Sequence, residues 1–199
     1  MSVLNMLNAK YIIGKAQPDS ANPQAAGQIM AQLNQDALGN AWFVKGVKWV
    51  KGAVEEMKAL DYFNPNDTAI VDESFKAAAG TFSPADSAST IKQTAYDNDA
   101  ITYESNSAAP HLAVFSEIFY KDWNAYIDGK KSDIVKVNYV LRSLNIPAGK
   151  HKIDFKFEPS VYKISYKLSA IFNWLLIALL AVAAFLWYRN ENKKKVVNA

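Results

Sequence analysis

Three groups of residues have types and spacing that could do chemistry. Asp97-Asn98-Asp99 has the form of the Asp-x-Asp pair with which some glycosyltransferases hold a metal-bound sugar diphosphate. Asp and Asn are also common turn formers between strands, because their short side chains bond nearby backbone, and the turn is the preferred reading. His111 and His151 are the only histidines and stand 40 positions apart. Neither has an adjacent acidic partner, so neither a zinc site nor a triad is indicated. Glu55 and Glu56 lie in AVEEMKAL, where apolar Val54, Met57 and Leu60 would turn the acids toward solvent. With no cysteine, thiolate ligands, disulfides and cysteine nucleophiles are excluded. No glycine-rich phosphate loop and no nucleophile elbow occurs. The sequence therefore assigns no catalytic residue, no metal and no cofactor.

Aromatic rings are the remaining candidates. Trp42, Trp49 and Trp123 could stack on the C–H faces of sugar rings, and a glycan or lipid-linked sugar is the partner they would suit. The competing reading places them in a core, where aromatic rings bury large areas. It weighs more, above all for Trp123, which shares a strand face with Ala125 and Ile127. A nucleic-acid partner is excluded on charge. The formal net charge is +3, and Arg189 with Lys193, Lys194 and Lys195, set against Glu191, holds all of that excess. The rest of the chain is neutral and offers no basic face.

The elements that must position these residues read as mainly β. Asn8 to Ile13 predicts a strand, Gln17 to Gly27 a loop, and Ala41 to Val50 a strand broken near Gly46. Ala53 to Leu60 predicts a short amphipathic helix, followed by a turn at Asn64–Asp67 and a strand at Thr68 to Val71. Gly80 to Ser89 is small and polar, which sets a linker at 81–89 between residues 1–80 and a second portion at 90–159. There, strands are expected at Thr90–Tyr96, Ile101–Ser105, Leu112–Tyr120, Trp123–Ile127, Ile134–Val137, Tyr139–Leu144 and His151–Glu158. Asp128-Gly129 marks a tight hairpin, since both central positions want positive φ. From His151 onward apolar and charged residues alternate strictly, the pattern of a half-buried antiparallel strand. Short strands at this spacing predict an antiparallel β-sandwich.

Leu168 to Tyr188 contains no charge over 21 residues. As a helix it is about 31 Å long, against a hydrocarbon core of about 30 Å. Trp187 and Tyr188 at one end, with Tyr166 near the other, suit the headgroup layers. Residues 160–188 are therefore read as a helix that enters and spans a lipid bilayer, and 189–199 as a basic tail suited to an anionic membrane face. On that helix Ala170, Asn173, Ile177, Ala181 and Ala184 form a small, partly polar stripe, opposite Phe172, Leu175, Leu176 and Leu179. Small residues let helices approach closely, so the stripe is expected to meet other transmembrane helices of the same protein. The first residues hold no apolar run suited to a signal peptide. Lysines flank both ends of the span, so the charge rule leaves two readings. Either the domain before the span is cytoplasmic, or earlier helices of a longer protein export it.

Several landmarks resemble the C-terminal region of YfhO-type bacterial membrane proteins. They are Tyr120, Trp123, Ala125, Ile127-Asp128-Gly129-Lys130, Asn138, Val140-Leu141-Arg142, Ile146-Pro147-Ala148-Gly149, His151, Phe155, Phe157 and Pro159. Leu7 to Ile13 and Ala37 to Val44 resemble earlier landmarks of the same family. Lys121-Asp122 departs from it, standing where a Pro-Gly pair is common. The resemblance implies an extracytoplasmic domain, with Lys193 to Lys195 facing the cytoplasm, in a multi-pass protein of the inner membrane. Such proteins look like transferases that use lipid-linked sugars to decorate cell-envelope polymers. Their acidic catalytic residues lie in loops between early membrane helices, so none carries over to this chain. The function this implies is a non-catalytic accessory domain with the last membrane helix of such a transferase. The alternative is a free-standing, membrane-anchored β-sandwich binding module. Cysteine crosslinking to neighbouring helices in the full-length protein should be stronger at positions 177 and 181 than at 176 and 179; equal yields would contradict the stripe.

Overall fold

A computed structural model describes residues 1–15 and 29–197. The chain forms two compact units, Met1–Glu158 and Pro159–Ala199. The first opens with helix α1 (Ser2–Met6) and strands β1 (Tyr11–Lys15), β2 (Ile29–Leu33), β3 (Ala41–Phe43) and β4 (Gly46–Val50). Helix α2 (Ala53–Ala59), strand β5 (Thr68–Asp72) and the single turn α3 (Lys76–Ala79) follow. The remaining strands are β6 (Thr90–Tyr96), β7 (Ala100–Ser107), β8 (His111–Ile118), β9 (Trp123–Ile127), β10 (Lys130–Ser132), β11 (Val135–Val137), β12 (Leu141–Ile146) and β13 (Gly149–Phe157). The loop expected over Gln17–Gly27 lies outside the described residues.

Two antiparallel sheets form the sandwich, one ordered β10-β9-β13-β7-β6 and the other β11-β12-β8-β3. Ile101, Tyr103, Ala125, Ile153 and Phe155 of the first pack on Ala113, Phe115, Leu144 and Ile146 of the second. The alternation read from His151 onward holds, since Ile153 and Phe155 are fully buried while Lys152 and Lys156 are exposed. The outer face of the four-stranded sheet is covered too. Leu112, Val114, Val135, Val137 and Leu141 pack there against Trp42, Val44, Ala69, Val71 and Ala79. The break expected near Gly46 sends the chain from one sheet to another. β3 pairs with β8, whereas β4 pairs with β5 in parallel, with α2 in the crossover. The 81–89 stretch has no helix or strand. It is held to the sandwich where Ser83 N–H donates to the Pro110 carbonyl at 2.7 Å and Ala85 N–H donates to that of Val44 at 3.2 Å.

Turn chemistry explains the hairpins. Asp128 and Gly129 take φ of 49° and 79°, the conformation the two-residue β9–β10 turn requires. Asp122, at the position where the resemblance implies a glycine, takes φ of 74°. Aspartate is among the few residues that visit this region readily, so the left-handed turn survives without a glycine. Asn138 and Tyr139 take φ of 51° and 71°, which ends β11 and moves the start of the next strand from the expected Tyr139 to Leu141.

One expectation is overturned. Glu56 is fully buried, whereas Val54 and Met57, placed on the apolar side by periodicity, are 68% and 48% exposed. α2 presents Glu56 and Ala59 inward because the carboxylate has two donors there. Lys136 Nζ lies 2.7 Å from Oε2, and Tyr139 N–H donates to Oε1 at 2.8 Å. Buried charge is tolerated only with such partners, and a helix of two turns carries too few apolar positions to set its own rotation.

The second unit is α4 (Ser160–Val197). Its Ile164–Arg189 segment has a mean hydropathy of 2.3, and none of its most apolar window is buried. It is long and apolar enough to cross a membrane. Helical backbone continues through the expected basic tail as far as Val197.

The face of α2 is testable by denaturant unfolding of the detergent-solubilised protein. Glu56→Ala should destabilise by about 1–3 kcal/mol, because it strands a backbone N–H and removes an ammonium partner. Met57→Ala should cost less than about 0.5 kcal/mol. The reverse order would restore the periodicity reading.

Candidate functional site

Strands β6, β7 and β13 turn their alternate residues to solvent, and the antiparallel register sets these side by side. Lys92 lies opposite Glu104, and Glu104 opposite Lys152. Thr90 lies opposite Asn106, and Asn106 opposite Lys150. Together with backbone of Ser105 and His151 they border an open groove of about 450 Å³. Lys92, Lys150 and Lys152 stand against Glu104, and with Lys152 shared with Asp154 the floor keeps a small cationic excess. Farther along the same face the groups are mutually satisfied. Thr102 donates to Asp154 at 2.8 Å, and Lys152 Nζ lies 3.3 Å from that carboxylate. Tyr126 O–H donates to Glu158 at 2.7 Å. That bond raises the Tyr126 phenol above its ordinary value.

Tertiary structure gives each histidine an acid that the sequence did not place beside it. The β9–β13 register brings the Asp128 turn to His151, with Nδ1 at 2.6 Å from Oδ2. Asp128 also accepts from the Lys152 N–H at 2.9 Å. The signal available in sequence was the Asp-Gly turn followed by an alternating strand, but only the register aligns them. The pair is not a poised base. His151 Nε2 lies 3.0 Å from the Ala148 carbonyl, so both ring nitrogens point at acceptors within the protein rather than at a substrate position. The Asp128 hydrogen bond, and then that to Ala148, hold the imidazole above its usual range, while His151 holds the Asp128 carboxyl below its own. The dyad fastens the hairpin turn to β13. Buried His111 lies 2.9 Å from the Ser83 carbonyl through Nδ1, with Asp86 3.9 Å from Nε2.

The other sequence candidates fall in separate places. Asp97-Asn98-Asp99 forms the β6–β7 turn, where Asp97 N–H donates to the Ala100 carbonyl at 2.7 Å and Asn98 N–H donates to the Asp97 carboxylate at 2.7 Å. Among the described residues no group of three His, Cys, Asp or Glu side chains could hold a metal ion. Trp42 is 8% exposed and donates its indole N–H to the Pro65 carbonyl at 2.8 Å. Trp49 is half-buried against the core cluster outside the four-stranded sheet, with Lys76 Nζ 5.6 Å from its ring centre. Trp123, also half-buried, carries the Arg142 guanidinium 4.5 Å from its centroid and packs on Phe157 at 5.6 Å. The three rings are not gathered into one platform. On α4, Ala170 and Asn173 line a shallow notch with Tyr166, Ser169, Phe172 and Leu176.

Comparison with protein families matches residues 83–169 to the family described as bacterial membrane protein YfhO. That segment spans β6 to β13 and the start of α4. Neither the curated proteins nor the solved structures give a match.

His151 should titrate above the ordinary imidazole value of about 6.5, followed by its ring proton resonances, and Asp128→Asn should bring it back. Because its folded value is raised, its contribution to stability is full below the unfolded value and is lost as pH rises through the folded one. Asp128, lowered, contributes above its unfolded value and loses this as pH falls. His151→Gln should therefore flatten the decline in thermal midpoint as pH rises above about 6.5; an unchanged slope would remove His151 from the linkage.

Proposed function

We propose, from the match of residues 83–169 to the family described as bacterial membrane protein YfhO, that this chain is the extracytoplasmic accessory domain and last membrane helix of a YfhO-like protein. In this reading the whole protein transfers sugars from a lipid-linked donor to envelope polymers, while Met1–Glu158 binds glycan without catalysing. α4 packs through Ala170, Asn173, Ile177, Ala181 and Ala184 on other helices, and the lysine tail faces the cytoplasm.

The supporting observation is the groove on the sandwich face. An open groove bordered by Thr90, Lys92, Glu104, Asn106, Lys150 and Lys152, with charged ends set among aliphatic stems, suits hydroxyl and phosphate groups and the C–H faces of sugars along an extended chain. Transfer, by contrast, needs a base at the acceptor hydroxyl and donors for the leaving phosphate. His151 has both ring nitrogens on protein acceptors, His111 is buried away from any substrate, and the Asp-x-Asp serves a turn. None of Trp42, Trp49 and Trp123 lines this groove. Affinity should be weak, since an open face buries little of each sugar and must offset the cost of ordering it.

The test uses the whole chain in detergent, titrated with envelope glycans and followed by NMR, alongside an assay of transfer from a polyprenyl-phosphate sugar. Shifts should concentrate at 90–92, 104–106 and 150–152, and Lys92→Ala with Lys150→Ala should remove them. Transfer above background that disappears in Asp97→Asn and Asp99→Asn would overturn the non-catalytic assignment. The absence of any shift would favour a purely structural domain.

A further inference from the structure

The β1–β2 ribbon has an apolar face that nothing among the described residues covers. In the antiparallel register Tyr11 lies opposite Leu33, Ile13 opposite Ala31 and Lys15 opposite Ile29. Directly opposed residues share a face, and so do residues two apart. That face therefore carries Tyr11, Ile13, Ile29 and Leu33, exposed by 65%, 71%, 77% and 56%, with Ala31 between them and Lys15 at its end. The ribbon is firmly mounted at its base. Asn34 Nδ2 donates to Asn5 Oδ1 at 3.0 Å and to the Ala9 carbonyl at 2.9 Å, and Asn34 N–H donates to the Lys10 carbonyl at 2.8 Å. Exposed Val3, Leu4 and Leu7 of the first turns add apolar surface near that base.

A two-stranded ribbon is marginal alone in water, and soluble surfaces seldom leave large apolar side chains together. Charge chooses the occupant. Lys15 ends the face and Lys10 stands just before β1, both are exposed, and neither strand carries an acid. A two-fold pairing with a second copy would set a rim of one sign against itself, whereas an anionic lipid surface complements it. Tyrosine suits the headgroup layer, and lysine stems can lie along apolar surface with the ammonium outward. α4 keeps the chain at a bilayer, so lipid is present at high effective concentration.

We propose that the Tyr11–Ile13–Ile29–Leu33 face docks into the headgroup region of an anionic membrane. The chain has no cysteine, so single-cysteine variants Ile13→Cys, Ile29→Cys and Tyr62→Cys can carry a polarity-sensitive fluorophore in the full chain. The last reports a site that is 89% exposed. Each is reconstituted into phosphatidylcholine vesicles with and without phosphatidylglycerol. Emission at 13 and 29 should shift to the blue and be quenched by nitroxide-labelled lipid, more so with phosphatidylglycerol, while 62 stays water-like. Lys15→Glu should reduce the quenching at 13. Labels at 13 and 29 as water-exposed as at 62 would overturn the proposal. So would shielding that lipid nitroxide does not reach and that persists in detergent, the result a protein cover or a second copy would give.

Discussion

The first five residues of β8 have no face in water. From His111 to Phe115 every side chain is at most 1% exposed, so this strand needs an apolar layer on both sides. The five-stranded sheet covers one side through Tyr103, Ile153 and Phe155. The β4–β5 pair, α3 and Trp42 cover the other. A strand buried on both faces reads as a continuous apolar run rather than an alternation, and HLAVF has that form. The N-terminal portion is thus the second cover of the sandwich, and β3 is itself a strand of the central sheet. Its junction with the rest is polar and specific. Asn138 accepts from the Ile70 N–H and donates its own N–H to the Ile70 carbonyl, each at 2.8 Å, so one left-handed residue continues hydrogen bonding from the β11–β12 turn to β5.

The same burial sets the environment of Arg142. Its position on β12 aims it between the sheets, in line with Leu144 and Ile146. The guanidinium carbon lies 4.4 Å from the Phe155 centroid as well as over Trp123, and Nη2 is 3.4 Å from Glu117. Ring faces are negative, so they compensate part of the charge where hydrogen-bond acceptors are few. Burial lowers the basicity of the guanidinium and raises the phenol of nearby Tyr103. Trp123 is thereby committed to holding a cation at the rim of the core.

The membrane helix and the domain obey opposite rules. α4 satisfies its backbone internally and leaves its apolar side chains outward, as a lipid solvent demands. Met1–Glu158 packs apolar side chains into its cores, while the β1–β2 ribbon gathers exposed ones on a single face. The groove and the ribbon are therefore distinct surfaces, one suited to polar chains and the other to an apolar or interfacial environment.

By itself the sequence determined the features that local chemistry controls. The span follows from length and lack of charge, the Asp128-Gly129 hairpin from positive φ, and β13 from strict alternation. The landmarks from Tyr120 to Pro159 carried the family resemblance because turn residues and core residues recur there together. Tertiary structure decided whatever depends on register or on a distant partner. Val54 and Met57 were placed inward by periodicity, yet Glu56 faces in because Lys136 and Tyr139, some 80 positions later, supply its donors. His151 and Asp128 meet only because β9 and β13 align in one register, and the groove exists only because β6, β7 and β13 lie side by side. A linear pattern reports which side of a residue is apolar; it carries no information on which remote group will neutralise a buried charge, since that energy arises only when the chain brings the two together.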